Sequence, residues 1–490
     1  MAPSRHPMVV SDPSFLLATG YESPSEENPP FIAGAGDATP APNDRPVAVA
    51  RPPLVQRPSY IAAAAPDDPR TDRRNPTRML NNASTPTSNS LNHVMAIAEK
   101  SPVTLKVGIR DRIACHRWTY FTMTMSTGGV ANILHSLKWD TPWIRGIGLF
   151  FFILNLILFV TNLILLSIRF HIRPGSFTHS FTDQVESLFI PASTTKPTSD
   201  SHVPSNAFSI AVILINTCQY GIPNTGIWLL RTMELMFWIY AALSVSVSAL
   251  LYLILWSTLV FPVHTMTPTW VFPAYPLLLN APFAANLIAA AHASGHALST
   301  NTTAMALGAA AIQGTGCLIA FMISSAFIYR LMTQKLPRDT QRPGIFMSIG
   351  PYGFTAAGIA QLGNQAESLI PPTFLDTPHV APIIKVVSIL VSLWLWGLAM
   401  WFFLVCVGAL WKYVRAGSSM PFQISWWSFV FPNTALVTAT SVMGNIFHSD
   451  GLHIFACVMT IAIVIVWAVV FGRMVWCLKE KRLLWPKNEI

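Results

Sequence analysis

The chain has 490 residues, of which 52% are hydrophobic and only 11% charged, and its formal net charge is +9. A soluble domain carries about a quarter charged residues, so this balance, with a mean hydropathy of +0.46, excludes an ordinary soluble fold and points to an all-α integral membrane protein. The basic residues sit between apolar stretches and lack aromatic interleaving, which reads as loops facing anionic lipid; the lipid bilayer is an expected partner and nucleic acid is not.

Taken in chain order, residues 1–101 are rich in Pro, Ala, Ser, Asn and Asp, as in PDDPRTDRRNPTR. Such a composition buries too little apolar surface to offset the entropy of ordering, so a disordered cytoplasmic tail is expected. No charged start followed by a long apolar core marks a secretory signal. Residues 102–478 form the expected membrane domain, and 479–490 a short cytoplasmic tail.

Within the domain ten spans of about 20 residues are legible. They cover 118–137, 145–170, 205–220, 228–261, 269–291, 303–332, 343–366, 382–411, 422–447 and 452–476. Lys and Arg concentrate in alternate loops: Arg110, Arg112 and Arg117 before the first span, Arg169 and Arg173 after the second, and Arg330 to Arg342 after the sixth. Lys412 and Arg415 follow the eighth, and Lys479, Lys481 and Arg482 the tenth. The opposite loops hold Asp140, Glu367, Asp376 and Asp450. The positive-inside rule then places both termini in the cytoplasm. The sequon at Asn301 falls in an outer loop but close to the membrane, and that at Asn82 lies in the cytoplasmic tail.

The spans are of two kinds. Even ones are plainly apolar, as in GLFFFILNLILFVTNLILL. Odd ones carry small, polar and helix-breaking residues, as in FTMTMSTGGVAN and PTWVFPAYPLLLNAPF, the latter with prolines at 268, 273, 276 and 282. Proline removes a backbone hydrogen bond and kinks a helix. Freed carbonyls are tolerated in a membrane only against protein or a water-filled cavity. The odd helices are therefore expected inside, kinked, with the even ones around them. Two readings stay open from this pattern: a conduit, or a tight bundle in which small residues let helices approach.

The chemistry available inside is neutral. Hydroxyls and amides recur on the odd spans, including Thr122, Ser126, Thr127, Asn132, Ser348, Tyr352, Asn433 and Thr438, with Asn216 and Gln219 on the third. No row of acidic residues marks a cation or proton path. Exposed N–H groups at helix breaks suit anions, and Arg342 and Lys385 near opposite mouths are candidates to attract them. Arg231 and Glu234, three apart, are expected to pair on one helical face. His292 and His296 share the one-turn spacing of metal ligands, but the H-E-x-x-H pattern and a second histidine cluster are missing. The six cysteines, Cys115, Cys218, Cys317, Cys406, Cys457 and Cys477, form no C-x-x-C pair and read as buried hydrophobes. No cofactor, metal or disulfide framework is expected.

Four strings, WTYFTMTMSTGGVANILHS, TWVFPAYPLLLNAPFAANLI, RPGIFMSIGPYGFTAAGIAQLGNQA and WWSFVFPNTALVTA, resemble the tellurite-resistance/dicarboxylate transporter family. That family includes fungal malic acid transport proteins, sulfite efflux pumps and plant slow anion channels. The likeness spans about His116 to Trp476 and is nearest to the malic acid transport proteins. It implies ten transmembrane helices as five hairpins around a central pore, often assembled as a trimer, in a plasma membrane. It also implies transport of C4-dicarboxylate anions such as malate rather than enzymatic activity. Sulfite or another small anion is the alternative cargo, and a membrane-embedded enzyme the distant one. In channel relatives a phenylalanine of the ninth helix, in a W-W-x-x-x-F-P context, closes the pore; here that context assigns the gate to Phe431. The pore-lining donors expected beside it are Ser126, Thr127, Ser348, Tyr352 and Asn433. The run from Phe177 to Ser205 matches the family only at its start and at Glu186 to Phe189, with a Thr/Ser/Pro-rich stretch after it.

Overall fold

The computed structural model describes residues 108–485 apart from 140, 174–175, 177–179, 181–187, 189–206, 373 and 415–419. The expected disordered tail and most of the run from 177 to 205 therefore lie outside the described residues.

Among the described residues ten α-helices of ten residues or more follow in order: α1 (Phe121–His135), α2 (Pro142–Ile172), α3 (Ala207–Asn216), α4 (Ile227–Thr258), α5 (Asn280–Ala293), α6 (Thr302–Gln334), α7 (Ile349–Asn364), α8 (Val380–Ala409), α9 (Phe431–Ile446) and α10 (Asp450–Lys479). No strand occurs among the described residues. Six helical stretches among them are long and apolar enough to cross a membrane: α2, α4, Pro268–Ala293, α6, Val380–Tyr413 and α10. Burial separates them as the composition required. Of the most apolar window in Pro268–Ala293, 94% is buried, against 22% in α2. The exposed faces of α2, α4 and α8 carry Phe150, Ile157, Trp256 and Trp394, which is what a lipid-facing surface demands.

The buried segments are not uniform α-helices. Stretches of 3₁₀ geometry lead into α1 (Trp118–Tyr120), α5 (Pro268–Leu279), α7 (Arg342–Ser348) and α9 (Ile424–Phe429). In the longest, Pro273 and Pro276 stand three apart and neither has an N–H to give, so a three-residue turn replaces the four-residue ladder. At the end of α3 the chain widens into a π turn, Thr217–Gly221.

Backbone groups released this way need partners, and the outer helices supply them. Tyr240 and Tyr252 of α4 donate to the carbonyls of Pro276 and Trp270. Gln313 of α6 acts at both its ends: its Nε2 donates to Leu278 O at 2.8 Å and Thr355 Oγ1 at 3.0 Å, and its Oε1 accepts from Ala281 N at 3.2 Å. Gln313→Leu orphans a buried carbonyl and a buried N–H. Each orphaned group costs about 1–3 kcal/mol, so the variant is expected to melt several degrees lower in detergent. A melting curve equal to wild type would show that Gln313 is replaceable.

The buried segments close on themselves. α1 touches α3, α3 touches α5, α5 touches α7, α7 touches α9 and α9 returns to α1. Each long exposed helix packs behind its neighbour in sequence: α2 on α1, α6 on α5, α8 on α7 and α10 on α9. α4 lies chiefly on Pro268–Leu279.

Candidate functional site

Phe431 is fully buried at the head of α9, one residue before Pro432. Its ring lies 5.6 Å from that of Tyr275 and 5.5 Å from that of Phe354, so three buried segments meet at one aromatic cluster. Beside it is a cavity of about 20 Å³ lined from all five buried segments: Gly129 of α1, Val212 of α3, Pro282 of α5, Phe354 and Ala357 of α7, and Phe431 itself, among others. That volume holds about one water and no four-carbon acid. None of the described residues lining it is charged.

A second, wider cavity of about 320 Å³ opens toward His135 and Lys138. Asn132, Asn286 and Gln361 line both cavities, so they form the partition between them. Gln219, on the π turn, bridges this partition: its Nε2 donates to Asn132 Oδ1 at 2.7 Å and Asn286 Oδ1 at 2.8 Å. Asn132 Nδ2 in turn donates to Thr438 Oγ1 at 3.1 Å. The π turn is fixed on both sides of Gln219. Asn216 Nδ2 donates to Gly128 O at 3.0 Å, and the Tyr220 hydroxyl to Ala131 O at 2.8 Å. Gln219 is thus aimed by two anchors on the facing helix.

The donors expected from sequence lie elsewhere. Ser126 donates to Thr122 O and Trp427 O. Thr127 donates to Met123 O and accepts from Trp467 Nε1 of α10. Ser348 caps Ile345 O. Tyr352 stacks on Phe402 of α8, its ring centroid 5.6 Å away, and turns toward Ala320 O of α6. Asn433 Nδ2 returns to Phe429 O at 2.8 Å, while its Oδ1 is buried without a partner among the described residues. None of these five lines either cavity; Phe431 does, and so do Asn132, Gln219 and Thr438, which the sequence marked only as polar residues of the odd spans. Asn286 and Gln361 were missed. Their only sequence signal is an amide in a short run of small and apolar residues, in AANLIAAA and AAGIAQLG.

The charged candidates are paired. Arg342 lies 3.4 Å from Asp339 and donates to Pro337 O and Ala409 O. Lys412 holds both oxygens of Asp339, at 2.8 and 3.0 Å, and these bonds keep that carboxyl below the usual carboxylate range. Lys385 pairs with Glu367 at 3.0 Å and Lys138 with Asp450 at 2.7 Å. Arg231 and Glu234 pair at 2.9 Å, and Glu234 also accepts from the backbone N–H and hydroxyl of Ser299, so this pair pins a loop. His292 and His296 are exposed, and no group of three or more metal-ligating side chains occurs among the described residues.

Residues 116–475 match the family described as SLAC1, voltage-dependent anion channel. The chain is 24% identical over 386 residues to the malic acid transport protein of Schizosaccharomyces pombe, covering 78% of this chain and 83% of that protein. It is 26% identical over 366 residues to the sulfite efflux pump SSU1 of Trichophyton rubrum, covering 74% and 91%. An uncharacterized transporter of Methanocaldococcus jannaschii is 22% identical over 332 residues, covering 67% and 85%.

Proposed function

The chain belongs to the SLAC1 family of voltage-dependent anion channels, and from that premise we propose that it carries C4-dicarboxylate anions such as malate across a fungal-type plasma membrane. The path runs between the five buried segments, and Phe431 is its gate. The observation that carries this reading is the uncharged cavity lined from all five segments and stopped by the Phe431 ring. A neutral path suits an ion that has to enter and also leave, and an aromatic ring at a constriction blocks it by excluding water.

All ten segments cross the bilayer in this reading, as five hairpins. Two of the shorter buried helices, α7 and α9, gain the needed length from their 3₁₀ lead-ins. With these, α7 reaches about 38 Å and α9 about 36 Å, enough for a hydrocarbon core of about 30 Å. Both termini face the cytoplasm by the charge bias of the loops, so the wide cavity at His135 and Lys138 is the outer vestibule. Assembly as a trimer follows from the family likeness. Ser126, Thr127, Ser348, Tyr352 and Asn433 act from behind the wall, fixing the helices that carry it.

Likeness to sulfite efflux pumps over nearly their whole length keeps sulfite as the second reading. The experiment is flux of labelled malate, with sulfite in parallel, in cells lacking their own carriers. Saturable malate flux is expected. Sulfite flux alone would move the cargo to the second reading, and flux of neither, with the protein present at the surface, would overturn both.

A further inference from the structure

The partition between the two cavities has an unusual make-up. Counting the two residues hydrogen-bonded to Asn132, each buried segment gives one neutral polar side chain: Asn132 from α1, Asn286 from α5 and Gln361 from α7 in the partition itself, Gln219 from the turn after α3 on its wide-cavity side and Thr438 from α9 on its small-cavity side. No described residue in the partition is charged, so an ion passing from the wide cavity to the Phe431 cavity meets amides and a hydroxyl and nothing stronger.

The hydrogen bonding of this ring is incomplete. Gln219 Nε2 serves two acceptors, Asn132 Oδ1 and Asn286 Oδ1. Yet Gln219 Oε1 and Gln361 Oε1 are buried with no partner among the described residues. Gln219 itself is only 9% exposed. Buried polar groups are normally satisfied, and a half-satisfied network is poised to exchange partners. Both unmet atoms are acceptors; the donors open to an incoming acceptor are the two N–H bonds of Gln219, which converge where the two cavities meet.

We propose that this ring is the oxyanion-coordination station of the protein and that Gln219 is its latch. A carboxylate or sulfite oxygen arriving from the wide cavity takes the two N–H bonds that Gln219 now gives to Asn132 and Asn286. The bridge between α1 and α5 is thereby released, and the way to Phe431 opens. Donors on a neutral amide bind an oxyanion without the desolvation cost and tight hold of a buried ion pair. The latch needs only a turn of the Gln219 side chain, since Asn216 and Tyr220 hold the backbone on both sides of it. The inference rests on the anion-transport reading and names the atoms at which that reading recognises its cargo.

The test uses the full chain in proteoliposomes, with initial flux measured against concentration for malate and for sulfite separately. Gln219→Leu keeps the bulk and removes the donors; its KM is expected to rise about tenfold, the loss of two charge-assisted bonds allowing for partial compensation. Gln219→Glu places a negative charge in the ring and is expected to cut flux at least tenfold at matched reconstitution. Gln361→Leu serves as the second variant, because its side chain makes no hydrogen bond to lose; it is expected to fold normally and to raise KM several-fold. Unchanged KM in Gln219→Leu and Gln361→Leu, with flux in Gln219→Glu equal to wild type, would overturn the coordination role and leave anion transport standing. A fall in maximal rate with KM unmoved would also overturn it, since that marks packing. A wild type that carries neither anion removes the transport reading itself. Between malate and sulfite, the one whose KM responds is the ligand the ring takes.

Discussion

Phe431→Ala is expected to raise malate flux at least tenfold per molecule at the surface and to weaken its gating. The ring is fully buried, in contact with Tyr275 and Phe354, and borders a cavity that holds about one water. Truncation to a methyl group merges the ring's volume with that cavity, whose described lining is uncharged. The same truncation removes core packing, and Phe→Ala in a core costs about 3–5 kcal/mol. Lower thermal stability is therefore expected along with higher flux. Phe431→Leu separates the two effects, since it keeps most of the packing and loses the flat ring; intermediate flux with near-normal melting is expected. Flux unchanged or lower in Phe431→Ala, at equal surface density, would mean that the ring is a packing aromatic and not a gate.

Gly353→Ala is expected to be the most damaging single methyl group among the substitutions considered. Gly353 faces α9 so closely that an added Cβ would stand 2.8 Å from the carbonyl carbon of Ala435 and 2.9 Å from the backbone N of Leu436. Backbone of a packed helix cannot swing aside as a flexible side chain does, so α7 and α9 must separate. Overpacking of this kind costs about 1–3 kcal/mol, occasionally more. The displaced pair carries Gln361, Thr438 and Phe431, so flux is expected to fall with stability. Gly397→Ala on α8 is the matched control: its Cβ meets nothing within 4 Å, and better helix propensity gives a neutral or slightly stabilised protein. The measurement is the melting temperature of both variants in the same detergent. Equal melting in the two would show that the α7–α9 approach is slack.

The glycine pair shows where sequence reading stops. The two glycines sit on spans of different type, Gly353 on an odd one and Gly397 on an even one, but residue order does not tell how closely a glycine meets the backbone of the next helix. That distinction belongs to the distance between α7 and α9. The alternation of helix type was legible for a clear reason: lipid tolerates only apolar side chains and satisfied backbone, so prolines and amides had to lie inside. Phe431 was singled out through the family motif around it, and it borders the small cavity. The charged residues at the mouths were not: Arg342 and Lys385 look available in one dimension and are held by Asp339 and Glu367 in three.

The sequence by itself determined that this is a multi-pass anion-transporter relative with its polar helices inside, because membrane solvation leaves few other solutions for such a composition. Only the tertiary structure decided which inner polar groups line the cavities. Ser126, Thr127, Ser348, Tyr352 and Asn433 turn to carbonyls, indoles or neighbouring helices. Asn132, Gln219, Asn286, Gln361 and Thr438 meet at the cavities. The physical reason is rotational. A 3₁₀ lead-in or a π turn shifts the helix phase away from 3.6 residues per turn, so the face a residue presents depends on breaks whose extent its own helix does not announce.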